Sequence, residues 1–295
     1  MRALMFHEYG DPNVLKVEDV PEPHPGPGQI RIAVRAAGVS PGDAALRSGV
    51  WRDRVPLRLP YIVGLDAAGV VDEVGPGVTG VHPGDEVFGL RPVGATTAGH
   101  ALLDAWAPKP AGMSWAEAGG AAGSIETAVR TLDALAVGPG TTLLLDGAAG
   151  GVGAIAVQLA VARGARVIGT ASPANHEFLA SLGAEPVTYG PGLAERIGGG
   201  VDAAVDVAGR GGALELVRAT GHADRVVTLV DAAAERQGIR LLRFDPAGDH
   251  AAALRQGAAV VTVHVAAVFG MDEGAAAHAR VEAGHARGKT VIAVA

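Results

Sequence analysis

Thr142-Leu143-Leu144-Leu145-Asp146-Gly147-Ala148-Ala149-Gly150-Gly151-Val152-Gly153 decides the fold of this chain. An apolar run breaks into glycines, and the helical pattern VGAIAVQLAVAR, residues 152–163, follows at once. That is the sequence form of a buried strand, a tight turn and a helix N-terminus. Free backbone N–H groups and the positive end of the helix dipole there hold a pyrophosphate. Gly147, Gly150 and Gly153 keep a G-x-x-G-x-x-G spacing, while Ala148 stands where the usual G-x-G-x-x-G motif has glycine. With 44 glycines in 295 residues, a plain Gly/Ala-rich turn is the competing reading of these positions.

The flanking pattern weighs against that alternative. Arg166-Val167-Ile168-Gly169-Thr170 reads as a second strand and completes a βαβ unit of about thirty residues. Further strand-like runs follow at 185–189, 201–207, 225–230 and 238–244, with helix-compatible segments at 173–182 and 211–218. Alternation of this kind predicts a parallel doubly wound sheet. The first hundred residues differ: prolines and glycines punctuate β-type runs at 29–36, 67–74 and 85–88, the texture of a compact, mostly β domain. Residues 21–28, rich in proline, read as an extended surface connection. Ser114-Trp115-Ala116-Glu117 predicts a capped helix entering the second domain. Beyond Phe244 the β/α rhythm weakens; 272–285 reads as a helix and 290–294 as a closing strand.

Composition bounds the function. The net charge of −7 gives no support for nucleic acid or an anionic membrane as partner. There is no apolar run of about 18 residues, so no transmembrane helix is expected. The first acid, Glu8, comes too early for a secretory signal, and a soluble cytoplasmic protein is the expectation. The absence of cysteine removes disulfides and cysteine-ligated zinc. No histidine pair has metal-ligand spacing, and His278 and His285, seven apart, read as surface side chains; no metal site is expected.

Several stretches, in order, resemble the zinc-independent, quinone oxidoreductase-like branch of the medium-chain dehydrogenase/reductase superfamily. They are Gly38-Val39-Ser40-Pro41-Gly42-Asp43, Gly64-Leu65-Asp66-Ala67-Ala68-Gly69-Val70-Val71, Pro83-Gly84-Asp85-Glu86-Val87, the glycine motif, Ser181-Leu182-Gly183-Ala184 and Gly284-His285-Ala286-Arg287-Gly288-Lys289. The resemblance implies an α/β protein with two parts. Residues 1–113 and 256–295 would form a GroES-like, mostly β catalytic domain, and 114–255 a Rossmann domain. It also implies NADPH-dependent reduction of quinones or α,β-unsaturated carbonyl compounds by a homodimer. Ser40 and Leu65-Asp66 stand where zinc-dependent relatives carry Cys and His-Glu, which argues against a zinc-activated reaction. Ala45 stands where many quinone reductase-like members place Tyr or Lys, and residues 89–101 form a shorter rim than usual.

The expected cofactor is NADPH (NADP+). A Rossmann domain selects NAD with an acid at the end of its second strand. Here that strand ends near Thr170, and no carboxylate follows until Glu177. A carboxylate would repel a 2′-phosphate, whereas a hydroxyl, amide or imidazole can donate to it. Ser172 is the leading contact, with Asn175 and His176 as helpers, and the resemblance adds Tyr189. The alternative for Ser172-Pro173 is a helix cap. Ala149, Gly150, Gly151, Val152 and Gly153 would line the pyrophosphate. Asp206-Val207-Ala208-Gly209 and Val230 follow strands and should approach the cofactor, since ligands bind beyond C-terminal strand ends. Thr127 matches a family position near the nicotinamide.

Hydride transfer leaves negative charge on a carbonyl oxygen, and a donor placed there lowers the barrier. Ser40 is the first candidate for that donor, against a turn role in Val39-Ser40-Pro41-Gly42-Asp43. Asp43 would fix the loop or orient a partner. His7 and Tyr9 follow the first strand, where family members line the pocket, and each has a structural alternative. Lys289 reads as a solvated turn charge. Two other functions stay open: a tailoring reductase for a polyketide-like intermediate, and a non-catalytic NADPH-binding sensor or structural protein.

Overall fold

The computed structural model describes residues 1–92, 94–284 and 287–294. The chain forms two compact units, one of Met1–Gly123, His250–Ala259 and Val263–Ala295, the other of Ser124–Asp249 with Val260–Thr262.

The first unit begins with β1 (Arg2–Phe6), β2 (Lys16–Asp19) and β3 (Ile30–Val39), followed by α1 (Pro41–Ser48). Then come β4 (Tyr61–Ile62), β5 (Asp66–Val74), β6 (Glu86–Leu90), β7 (His100–Leu103), β8 (Ala105–Pro108) and α2 (Trp115–Gly119). In β3 the sequence IRIAV alternates, so Ile30, Ile32 and Val34 share one face and enter a core with Val71, Val87 and Leu103. Phe6 belongs to a second core with Leu4, Val39, Met271 and Ile292.

The second unit opens in α3 (Ala122–Ala134) and continues through β9 (Thr142–Asp146), α4 (Gly151–Ala162), β10 (Arg166–Thr170), α5 (His176–Ser181) and β11 (Glu185–Val187). It ends with α6 (Leu193–Ile197), β12 (Ala203–Asp206), α7 (Ala213–Thr220), β13 (Val226–Thr228) and β14 (Arg240–Leu241). Its sheet runs β11-β10-β9-β12-β13-β14, with every pair parallel. Counted from β9 that is the order 3-2-1-4-5-6 of dinucleotide-binding sheets. The order reverses between β9 and β12, the position at which sheets of this kind bind their ligands.

The chain then returns to the first unit through α8 (His250–Ala258), β15 (Val265–Gly270), α9 (Gly274–Ala283) and β16 (Lys289–Ala293). β16 pairs antiparallel with β3, Thr290 opposite Val39, and completes a sheet ordered β15-β16-β3-β5-β6-β8.

Some expectations change. The capping box of Ser114 and Glu117 is present, but the helix it starts stays with the first unit. Gly119 lets α2 lie on β3, where a Cβ would stand 2.7 Å from the Ala36 backbone. The strand expected at 238–244 shrinks to Arg240–Leu241, because β14 is the sheet's edge and pairs on one side only. His278 is 1% exposed, not a surface side chain; burial pushes it down to about 4, with Arg47 adding to the shift. His285 and Ala286 lie outside the described residues. Lys289 is only 7% exposed, because it opens a strand held between β15 and β3 rather than a turn.

Phe6 is fully buried, with Tyr61 and Tyr9 at ring-centroid distances of 5.6 and 6.2 Å. Phe6→Ala should lower unfolding stability by about 3–5 kcal/mol, measured by urea denaturation.

Candidate active site

The turn after β9 is built by close backbone contact. Gly147 has φ +85°, and a Cβ there would meet Ala208 and Val207 atoms at 3.1 Å. The left-handed turn residue is thus Gly147, one position before Ala148. Ala148 is fully buried, and its methyl group fills space left by Gly169, where a Cβ would stand 2.8 Å away. At Gly153 a Cβ would lie 2.3 Å from the Gly147 carbonyl oxygen. Glycine at 153 lets the first turn of α4 pack directly on the loop.

Gly150 caps α4 without any side-chain hydrogen bond. The N–H groups of Gly151, Val152 and Gly153 therefore have no intrahelical acceptor, as at every helix start. They form a row of donors at the positive end of the helix, while Gly150 N is spent inside the turn, donating to Gly147 O at 3.1 Å. A dinucleotide pyrophosphate fits this cradle.

Ser172 and Tyr189 follow neighbouring parallel strands by the same two-residue offset. Thr170 of β10 is opposite Val187 of β11, and Ala171 N donates to Val187 O at 3.0 Å. Ser172 starts a 3-10 turn, but its side chain makes no cap bond. Its Oγ instead accepts from Asn175 Nδ2 at 3.2 Å, leaving its own O–H as a donor. The His176 ring Nε2 turns back to the Ala171 carbonyl at 3.3 Å. The Arg210 guanidinium lies 5.2 Å from the Tyr189 ring centroid. Sequence reasoning found no cation for this end of the site; Arg210 supplies one. It lies 38 residues along the chain from Ser172, too far for any local motif to signal it.

Two carboxylates close the same sheet edge. Asp146 and Asp206 face each other across the β9–β12 pair and are both buried. Burial, with Asp206 beside it, pushes Asp146 above the usual carboxylate range, against a hydrogen bond from the Thr170 hydroxyl. Asp206 accepts from Thr228 Oγ1 and from the N–H groups of Ala208 and Gly209, each at 2.9 Å. The N–H groups of Ala208 and Gly209 are therefore used inside the loop expected to approach the cofactor. Gly209 has φ +66°, and a Cβ there would meet Val230, which is 51% exposed, at 2.9 Å. Thr127 sits in α3, its hydroxyl 3.5 Å from Glu126 Oε2.

In the first unit Ser40 and Asp43 are locked together. Ser40 caps α1, and its N–H and O–H both donate to Asp43 Oδ2, at 2.8 and 2.6 Å. Asp43 Oδ1 accepts from Gly64 N at 3.1 Å. Burial raises the Asp43 carboxyl to about 6; Ser40 opposes the shift, Asp66 adds to it, and Lys289 opposes it. Asp66, equally buried, accepts from Gly123 N at 3.0 Å. Gly38 makes room for it, since a Cβ there would lie 2.3 Å from Asp66 Oδ1. The Ser40 proton thus points at Asp43 rather than outward while Asp43 is ionised. Tyr9 is not part of this cluster: its ring lies under Gly49 and its oxygen accepts from Leu57 N at 3.4 Å. His7 is exposed, with Nε2 3.0 Å from Glu18 Oε1, on the rim of an open cavity of about 490 Å³. Among the described residues no three His, Asp or Glu side chains gather as a metal site would require.

A parallel six-stranded sheet with a glycine cradle, joined to a mostly β unit, defines a dinucleotide-binding class of protein. The alcohol dehydrogenase GroES-like domain matches residues 26–135. The quinone oxidoreductase structure from Coxiella burnetii aligns with 30% identity and a TM-score of 0.86, over 100% of this chain and 99% of that one. A 2-methylene-furan-3-one reductase of Solanum lycopersicum is 31% identical over 99% of this chain and 79% of its own length. A mycobacterial structure in complex with NADPH aligns at 26% identity and TM-score 0.81, over all of both chains. The chain belongs to the quinone oxidoreductase-like branch of the medium-chain dehydrogenase/reductase superfamily. Other curated relatives match in part. The chain spans about half the length of the quinone oxidoreductase of Rattus norvegicus, 53% at 38% identity. It spans 4% of a pikromycin polyketide synthase component of Streptomyces venezuelae, at 43% identity over 166 residues.

The raised Asp43 pKa has a definite sign. The folded state holds the proton more tightly than the unfolded chain, so this contribution to stability is complete below about pH 3.8 and is lost as pH rises through about 6. The expected loss is on the order of 3 kcal/mol across that window. Carboxyl ¹³C NMR should give a midpoint near 6, and Asp43→Asn should remove this part of the pH dependence of unfolding.

Proposed function

We propose that the protein is an NADPH-dependent, zinc-independent reductase of α,β-unsaturated carbonyl compounds or quinones. The observation that carries the reading is the Gly147–Gly153 cradle, followed by Ser172 and Arg210 in place of an acid. In this reading the N–H groups of Gly151, Val152 and Gly153 hold the pyrophosphate. Ser172, Asn175, Tyr189 and Arg210 hold the ribose 2′-phosphate, which a carboxylate would repel. NADPH, when bound, supplies hydride from its nicotinamide C4. A homodimer belongs to the same reading, with β14 as the sheet edge able to accept a second copy. So does a cytoplasmic location; no helix among the described residues is long and apolar enough to cross a membrane.

Ser40 and Asp43 take the polar role on the substrate side. While Asp43 is ionised it accepts the hydrogen bond of the Ser40 hydroxyl. Once protonated, Asp43 turns donor, and the Ser40 hydroxyl is released to donate to a substrate oxygen that gains charge. Ala45 offers no acid of its own.

A second reading has specific support. The matches to polyketide synthase segments favour a tailoring reductase for a polyketide-like intermediate, and the same cofactor site serves it.

One panel tests the proposal. NADPH oxidation, followed at 340 nm, should occur with a simple enone or a quinone and not with a saturated ketone. Tight NADPH binding without turnover on any of them would leave a binding protein rather than a reductase. Ser172→Asp should weaken NADPH binding about tenfold or more and shift preference towards NADH; unchanged preference would refute the 2′-phosphate assignment. For the wild type, kcat/KM with the enone should rise as pH falls through about 6, as Asp43 takes up its proton. Asp43→Asn, whose amide donates to Ser40 at all pH values, should flatten that rise.

A further inference from the structure

Arg91 stands just beyond β6, with its N–H donating to Leu65 O at 2.8 Å. That bond ties it to the turn that enters β5 at Asp66. The Leu65 side chain in turn borders Ser40. A Cβ at Gly42 would stand 3.3 Å from Ser40 Oγ and 3.5 Å from Leu65 Cδ1. The Arg91 backbone is thus tied to the turn whose Leu65 lies near Ser40.

One nitrogen of its guanidinium is unsatisfied among the described residues. Nε is buried without a hydrogen-bond partner, and among the described residues no carboxylate pairs with the group. Other arginines of this unit with little exposure are paired. Arg31, 12% exposed at its side chain, meets Asp72 and Glu73, and Arg47, fully buried, meets Glu282. A half-buried cation without a partner loses hydration and gains nothing in return, so proteins rarely keep one.

Tyr61 is a second donor of this unit. The phenol interacts electrostatically with both Arg91 and Asp43. Burial holds it well above the usual phenol range, so it stays protonated and can donate. Its hydroxyl has no hydrogen-bond partner among the described residues, and it lies against Gly94, where a Cβ would be 2.0 Å from the oxygen.

We propose that Arg91, assisted by the Tyr61 hydroxyl, is a specificity-determining residue that binds a carboxylate carried by the substrate. The inference rests on the reductase reading and narrows its substrate class to unsaturated carbonyl compounds bearing an acid. A planar, forked guanidinium matches a carboxylate with two parallel hydrogen bonds. A phosphate dianion calls for more than one cation, and Lys289 exerts its field on Asp43.

The test compares (E)-4-oxopent-2-enoate with its methyl ester, each reduced by NADPH with wild type, Arg91→Leu and Arg91→Lys. The wild type should prefer the acid, and Arg91→Leu should lower the acid-to-ester ratio of kcat/KM at least 50-fold. Arg91→Lys, which keeps the charge but not the fork, should retain part of the preference. Equal ratios in wild type and Arg91→Leu would overturn the proposal. A second measurement separates it from the reductase reading: calorimetric binding of levulinate and methyl levulinate to the NADP⁺-loaded protein. If neither unsaturated compound is reduced but levulinate binding is lost in Arg91→Leu, the carboxylate subsite stands and the reductase reading falls. Levulinate binding equal in wild type and Arg91→Leu would sink the subsite whatever the kinetics show.

Discussion

The nucleotide-binding unit depends on one close approach, the first turn of α4 against the carbonyl of Gly147. A Cβ at Gly153 would lie 2.3 Å from that oxygen, far inside van der Waals contact. Glycine there brings helix and strand together; Gly147 turns the chain with φ +85°, and Gly169 admits the Ala148 methyl group beneath the turn. The uncapped N–H groups at the helix start are a consequence. They face the crevice because no side chain at Gly150 or Gly151 stands in front of them. The parallel register of β9 with β10 and β12 then carries Ser172, Tyr189 and Asp206 to the same edge.

In the first unit the organising constraint is electrostatic. Asp43 and Asp66 are both about 2% exposed, and burial of like charges is unfavourable unless hydrogen bonds and cations answer it. Gly64 N, Gly123 N and the Ser40 N–H and O–H provide the bonds, and Lys289 provides opposing charge. Part of the cost remains, visible as the raised pKa of Asp43. Such a raised carboxyl in a polar cluster is compatible with the proton role proposed for Asp43.

Much of this was legible in the chain. The apolar run 143–145 and the glycine spacing identified the first βαβ unit, and the alternation in Ile30–Val39 marked a half-buried strand. Ser114 and Glu117 announced their capping box. Other features were not legible. Residues 250–258 and 265–270 showed little periodicity, since their burial is partial and set by the sheet they join. Lys289 looked like a turn charge because nothing nearby in sequence reveals that its strand lies between β15 and β3.

Local order along the chain determined the glycine turn, the strand and helix periods, the missing acid after β10 and the absence of cysteine. These are short-range facts, governed by backbone sterics and by the side-chain periods of strand and helix. Tertiary structure alone decided which distant side chains meet: Arg210 over Tyr189, Lys289 against the field of Asp43, and Arg91 near Tyr61 without an acid. The reason is physical. Burial and electrostatic partnership arise when separate segments pack, and a pattern read a few residues at a time carries no record of that pairing.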